Sequence, residues 1–171
     1  MLIFQYGSNT SQARLNSPDR LNGVAKLLGA VVTKDCFELD FTVFSTKNDC
    51  AAADIRFGGG RPIWGALYDI PGDRVVRELA GKRRCLDAIE GRRYERVSIS
   101  VCWPDGQEVE GEVWTYTVLE AERRTDLQTT EAYGAHILGG LRDLNAPTDY
   151  IDYVRGRIAR GWLARLGERS A

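Results

Sequence analysis

Hydrophobic patterning along this 171-residue sequence predicts an α+β domain built on a strongly twisted or barrel-like sheet. Patterns typical of strands fill most of the first two-thirds of the chain, and helical spacing dominates the last third. The regular alternation of strand and helix that marks a doubly wound fold is missing from the sequence. No repeat or long linker interrupts it, so a single domain over residues 1–171 is expected.

The first half of the chain is predicted to consist mainly of strands. Residues 2–6 form a short apolar run stopped by Gly7, which predicts a buried strand that delivers its last residues to a loop. Between residues 36 and 44, apolar and polar side chains alternate with the period of two of a half-buried strand. Two further strands are expected at residues 23–32 and 62–70.

The second half combines helices with one strand pair. Apolar spacing predicts a helix over residues 75–86, preceded by Pro71, which suits a first helical turn. Alternation over residues 97–103 and 109–115 flanks the turn sequence PDG, which predicts a β-hairpin. Helices are also predicted at residues 133–141 and 151–162. The sequence NAPT at 145–148 separates them, because it can end the first helix and cap the second.

Composition argues against several classes of function. The 23 basic and 24 acidic side chains leave a net charge of −1, which gives no electrostatic reason to expect nucleic acid or a membrane as partner. The expected partner is a small molecule, and the sequence leaves open whether the chain is a monomer or a homodimer. The first residues carry no basic leader and only a short apolar run, so a cytoplasmic location is expected.

Metal and triad chemistry are also disfavoured. The four cysteines at positions 36, 50, 85 and 102 match neither paired zinc spacing nor a dense disulfide framework. His136 is the single histidine, so any serine or cysteine triad would have to use that imidazole. Neither a metal site nor a catalytic triad is therefore expected.

The loop sequence YGSN at residues 6–9 is the first candidate for a functional site. Gly7 lets the backbone turn and lets a ligand approach it, and the N–H groups that follow can converge on a carboxylate or an oxyanion. The alternative is an ordinary turn after a strand.

Glu90 is the second candidate, because it stands between apolar Ile89 and Gly91 where partial burial would raise its pKa toward the range useful for proton transfer. The alternative is a solvated carboxylate that pairs with neighbouring arginines. Those arginines, at positions 92, 93 and 96, are themselves ambiguous. They are suited either to bind an acidic part of a substrate or to pair with Asp87 and Glu95.

Taken together, the two motifs make the chain resemble the γ-glutamylcyclotransferase-like family, whose members carry a YGSN-type loop after the first strand and a later glutamate in an EG context. The resemblance covers most of the chain. It is carried by FQYGSN at 4–9, WGALY at 64–68, AIEG at 88–91, VWTY at 113–116 and the closing helices. Thr10 departs from the apolar residue that relatives commonly have there.

The resemblance implies a small mixed β-barrel with flanking helices, together with eight site residues. The substrate-binding residues would be Tyr6, Gly7, Ser8, Asn9, Tyr94, Tyr116 and Tyr133, and the catalytic carboxylate would be Glu90. The implied reaction is cyclisation of a γ-glutamyl amide to 5-oxoproline with release of the amine, and it requires no cofactor. The alternatives are a noncatalytic domain that binds a small ligand, and a hydrolase that releases free glutamate.

Overall fold

The computed structural model describes residues 1–168. The strands are β1 (Leu2–Gln5), β2 (Lys26–Thr33), β3 (Phe37–Ser45), β4 (Cys50–Phe57), β5 (Trp64–Asp69), β6 (Tyr94–Ser98), β7 (Val101–Cys102) and β8 (Val113–Val118). The helices are α1 (Gln12–Leu15), α2 (Arg77–Ala80), α3 (Leu86–Glu90), α4 (Glu131–Asp143) and α5 (Thr148–Glu168). No helix of these residues is long and apolar enough to cross a bilayer.

Six strands form one mixed sheet in the order β6-β8-β1-β5-β2-β7. The neighbours β1 and β8 run parallel, and every other neighbouring pair in this sheet is antiparallel. Strands β3 and β4 pair only with each other and form a separate hairpin. The predicted strands at residues 2–6, 23–32, 36–44 and 62–70 are all present.

The main sheet curls so strongly that the chain passes directly from one edge strand to the other. Its edge strands β6 and β7 are separated along the chain only by residues 99–100. A flat six-stranded sheet would hold its edges roughly 24 Å apart, whereas this connection spans at most about 11 Å. Ile99 N–H donates to the Val113 carbonyl, and Lys34 N–H donates to the Ser100 carbonyl, both at 2.9 Å. The predicted α+β, barrel-like architecture is confirmed.

The predicted hairpin of residues 97–115 is present, and the same curvature gives one of its strands a second partner. Strand β6 pairs with β8 from Tyr94↔Val118 to Ser98↔Trp114, but β7 pairs with β2 through Val32↔Cys102. The PDG sequence does form a turn, closed by a hydrogen bond of 2.9 Å from Gly106 N–H to the Trp103 carbonyl. Val109 N–H also donates to the Val101 carbonyl at 3.0 Å, and Trp103 N–H donates to the Gln107 carbonyl at 2.8 Å, so the two arms of the predicted hairpin do pair. Alternation and turn chemistry therefore identified the hairpin correctly, but they did not reveal β2 as the second partner of β7.

Two other elements differ from the sequence prediction. Strand β4 was missed because three consecutive alanines, residues 51–53, have low strand propensity. Its residues from Cys50 to Ile55 are all buried, which stabilises an extended segment that no local pattern reveals. The helix predicted over residues 75–86 is instead two short helices, because Gly81 ends α2 with a positive φ of 60°.

The sheet is packed on both faces. Successive residues of β1 point to opposite sides, so Ile3 and Phe4 belong to two separate hydrophobic clusters. Helices α4 and α5 and the β3–β4 hairpin contribute to the cluster around Phe4. Helices α1 and α3 contribute Leu15 and Leu86 to the other cluster. The loop that follows β1 therefore leaves the sheet between the two hydrophobic clusters.

Candidate active site

The YGSN loop folds into a tight 3-10 turn over Ser8–Thr10. The N–H and the hydroxyl of Thr10 both donate to the Gly7 carbonyl, at 3.0 and 2.7 Å, and close the turn. Within residues 1–168, the N–H groups of Ser8 and Asn9 have no acceptor, as expected for the first residues of a helical turn. The loop thus presents two free backbone donors at a buried position.

Surrounding elements fix this loop from several sides. The Tyr68 hydroxyl reaches the carbonyls of Asn9 and Thr10 at 3.2 and 3.3 Å. Gly7 lies against β4, since a Cβ at this position would be 3.3 Å from that of Ala53. Helix α4 approaches the loop so closely at Gly140 that a Cβ there would be 2.5 Å from the Thr10 carbonyl carbon. The loop is therefore rigidly held, which suits a ligand cradle.

Helix α3 carries Glu90 and is fixed by the carboxylate of Asp87, one turn earlier. Arg96 of β6 donates to both Asp87 oxygens at 2.7 and 3.0 Å. The Tyr116 hydroxyl of β8 donates to the same carboxylate at 2.6 Å. A charge-assisted arrangement of this kind, in which Arg96 Nη1 contacts both carboxylate oxygens, holds the helix against two strands of the sheet. Of the three ambiguous arginines, Arg96 therefore pairs with Asp87, whereas Glu95 pairs with none of them.

Glu90 and the loop meet although they lie 81 positions apart. The Asn9 side-chain amide donates to Glu90 Oε1 at 2.8 Å. Arg20 in turn donates from Nη1 to Asn9 Oδ1 at 2.7 Å, and its side chain is only 7% exposed. Because Arg20 can only donate, it orients the Asn9 amide so that its NH2 group faces the carboxylate. Sequence reasoning missed Arg20, which no motif marks.

The surroundings of Glu90 adjust its acidity in opposite directions. Burial raises the pKa of the Glu90 carboxyl above its ordinary value, and the Arg20 charge and the Asn9 hydrogen bond oppose that increase. A further opposing contribution comes from the side chain of Gln5, although its buried Nε2 is within hydrogen-bond distance of no acceptor among the described residues. A carboxyl with a raised pKa is suited both to accept and to return a proton near neutral pH.

The hydroxyls of the four predicted tyrosines bind either the backbone of a neighbouring strand or the Asp87 carboxylate of helix α3. Tyr94 donates to the Ala53 carbonyl at 2.8 Å, and the Ala53 N–H donates to the Tyr133 hydroxyl at 3.2 Å. Burial raises the pKa of Tyr6, Tyr94 and Tyr133, so these phenols remain neutral. Tyr6 donates to the Tyr116 carbonyl at 2.7 Å, and the Tyr116 hydroxyl is occupied by Asp87. Tyr116 therefore supports α3 through its hydroxyl.

All eight residues implied by the resemblance line one small inner cavity of about 30 Å³, together with Gln5 and Ala53. A larger outer pocket of about 380 Å³ adjoins the inner cavity. The two share the lining residues Ser8, Asn9, Glu90, Tyr94 and Tyr133. The tip of the β3–β4 hairpin and the segment after Glu90 form the remaining walls of the outer pocket. Among the side chains of residues 1–160, no group of three or more potential metal ligands is present.

Comparison with known proteins places this architecture in a recognised class. No family of sequences matches the chain, and no curated protein matches it significantly. Two solved structures, one of an uncharacterised protein from Homo sapiens and one of a γ-glutamyl cyclotransferase, superpose with TM-scores of 0.74 at 20% identity. Each alignment covers 90% of this chain and 85% of the other. The protein therefore has the γ-glutamyl cyclotransferase-like fold that the resemblance implied.

A third structure extends this similarity. YkqA from Bacillus subtilis superposes with a TM-score of 0.70 at 20% identity, over 92% of this chain and 54% of YkqA. These alignments concern the fold, and function has to be argued from the site itself.

Proposed function

We propose that the protein cyclises a γ-glutamyl amide to 5-oxoproline and releases the free amine, with Glu90 as general acid/base. The observation that carries the proposal is the 2.8 Å hydrogen bond that joins Glu90 to the YGSN loop inside a shared cavity. A carboxyl with a raised pKa lies there beside two unsatisfied backbone donors. These are the two components that intramolecular acyl transfer needs.

The cavities suggest how such a substrate would bind. The free N–H groups of Ser8 and Asn9 would hold the anionic end of the γ-glutamyl group or the oxyanion that forms during attack. The inner cavity of about 30 Å³ is too small for a whole γ-glutamyl group. The substrate would therefore span both cavities and place its leaving amine in the outer pocket.

The chemistry requires one new bond and one broken bond. The α-amino nitrogen of the γ-glutamyl group attacks the γ-carbonyl carbon, four bonds away, and closes a five-membered lactam. Glu90 removes one proton from the α-ammonium, which frees the lone pair for attack, and donates it to the leaving nitrogen as the amide bond breaks. The ring nitrogen loses its second extra proton to the released amine, so that the products are the neutral lactam and an ammonium. Holding the curled conformer contributes on the order of the 7–11 kcal/mol available to well-oriented intramolecular reactions.

A panel assay tests this proposal. Purified protein is incubated with γ-glutamyl amino acids, peptides and amines, and both 5-oxoproline and free glutamate are quantified. Stoichiometric 5-oxoproline and amine are expected from at least one compound. Free glutamate without the lactam would indicate a hydrolase. Saturable binding without any product would indicate a noncatalytic ligand-binding domain, and either result would overturn the proposal.

A further inference from the structure

The outer pocket is lined by more positive than negative charge. We infer that it binds a leaving amine that carries two acidic groups, so that the preferred substrates are γ-glutamyl derivatives of dicarboxylic amino acids. This inference rests on the proposed function and specifies the substrate class of the same site. Four cationic side chains line the pocket, Arg20, Lys47, Arg92 and Arg93, and the acidic side chain among them is Glu90.

Two of the four cations are already neutralised by the protein. Lys47 forms a salt bridge with Asp19. Arg93 lies 3.4 Å from a carboxylate oxygen of Glu122 and donates to the Phe44 carbonyl at 2.9 Å. Since these charges are paired, they contribute little to the binding of an anion.

The other two cations form no salt bridge with a described acidic side chain. Arg20 is buried and forms no salt bridge with any described residue; its hydrogen-bond partner, the Asn9 side chain, is neutral, and its charge also acts on the Glu90 carboxyl beyond Asn9. Arg92 is exposed at the pocket wall and forms no ion pair or side-chain hydrogen bond among residues 1–160, the part of the chain whose side chains the structure describes. A guanidinium has five N–H donors and favours planar carboxylates. Two unpaired guanidinium groups on one pocket therefore match two carboxylates, and they would repel a basic leaving group.

The backbone after α3 places this charge close to the chemistry. Gly91 adopts a φ of 90°, a left-handed conformation that favours glycine, and turns the chain at the end of the helix. Arg92 thus lies two residues after Glu90, a Cα separation of at most about 7 Å. A leaving amine whose carboxylate contacts Arg92 would keep its nitrogen near Glu90. The volume of about 380 Å³ accommodates an amino acid.

Binding measurements test the subsite separately from turnover. In the Glu90→Gln background, calorimetry compares γ-glutamyl-glutamate with γ-glutamyl-glutamine, which has nearly the same size but lacks the second charge. The acidic dipeptide is expected to bind about tenfold more tightly, and high salt should reduce the difference. Adding Arg92→Gln should remove most of the preference. The control Lys82→Gln, at an exposed residue outside the pocket, should leave it intact.

Equal affinities for the two dipeptides, or no binding of either at millimolar concentration, would overturn the inference. Wild-type kcat/KM for the same pair and for γ-glutamyl-lysine completes the test, with the order acidic, neutral, basic expected. Turnover of all three at equal rates would refute the subsite while the proposed function stands. A binding preference without 5-oxoproline from any of them would refute the proposed function while the subsite stands.

Discussion

Glu90 is the residue on which the proposed proton transfers depend. The substitution Glu90→Gln keeps an oxygen that can accept the Asn9 hydrogen bond, so the local structure should persist. Since the amide cannot take up a proton, kcat is expected to fall by about 10²–10⁴-fold with little change in KM. Steady-state assays of 5-oxoproline release measure the effect. Glu95→Gln, at an exposed position in β6, is the matched control, and a Glu90 variant as active as this control would exclude the assigned role.

Arg20 sets the pH dependence of the same carboxyl. Its positive charge opposes the effect of burial on the Glu90 pKa, so Arg20→Gln should raise that pKa further. A general base acts when ionised, and kcat/KM therefore increases as pH rises through the Glu90 pKa. The rising limb of the pH profile should move to higher pH in Arg20→Gln and largely return in Arg20→Lys, which restores the charge. A limb that stays in place in both variants would contradict this assignment.

Helix α4 determines the position of the YGSN loop through Gly140. A Cβ at this residue would lie 2.5 Å from the Ser11 nitrogen and from the Thr10 carbonyl carbon, both of which are backbone atoms. Gly140→Ala should therefore destabilise the fold by about 1–3 kcal/mol, as overpacking does, and displace the loop. Urea unfolding and 5-oxoproline assays measure the two effects.

The neighbouring glycine provides a control within the same helix. A Cβ at Gly139 would meet no atom within 4 Å. Gly139→Ala should stabilise the protein by roughly 0.5–1 kcal/mol, because alanine is the better helix former. Similar behaviour of the two variants would show that the close approach of α4 does not hold the loop.

At the scale of the whole molecule, Asp54 connects the separate β3–β4 hairpin to the main sheet. Its side chain is fully buried and accepts hydrogen bonds from Val118 N–H at 2.9 Å and Arg123 Nε at 2.7 Å. Thr42 of the hairpin donates to the same carboxylate at 2.9 Å. Strand β4 also carries Ala53, which binds Tyr94 and Tyr133, so this connection supports one wall of the site.

Asp54→Ala should reduce the free energy of unfolding by about 3–5 kcal/mol, because Val118 N–H and the Thr42 hydroxyl lose their buried acceptor and Arg123 keeps only the exposed Glu120 as an acidic partner among the described residues. Arg124→Ala is the control, since it removes an exposed ion pair with Asp126 and should cost less than about 1 kcal/mol. Denaturant titrations of both variants provide the comparison. A loss for Asp54→Ala no larger than that of the control would show that the buried carboxylate does not hold the hairpin in place.

The sequence by itself was sufficient to identify the elements that bury one face, because such burial gives their apolar residues a regular spacing. The alternation over residues 36–44 and the helical spacing after Thr148 identified β3 and α5 because each pattern is a property of the element's own geometry. The resemblance also selected eight residues that the structure brings to one cavity.

Only the tertiary structure decided what those elements contact. The pairing of β7 with β2, the burial of the alanines in β4 and the placement of Arg20 beside Asn9 join segments that lack any local signal for one another. Which of Arg92, Arg93 and Arg96 form salt bridges likewise depends on neighbours that the sequence does not reveal. Periodicity records which face of a segment is buried, whereas its partners depend on how the whole sheet curls and packs.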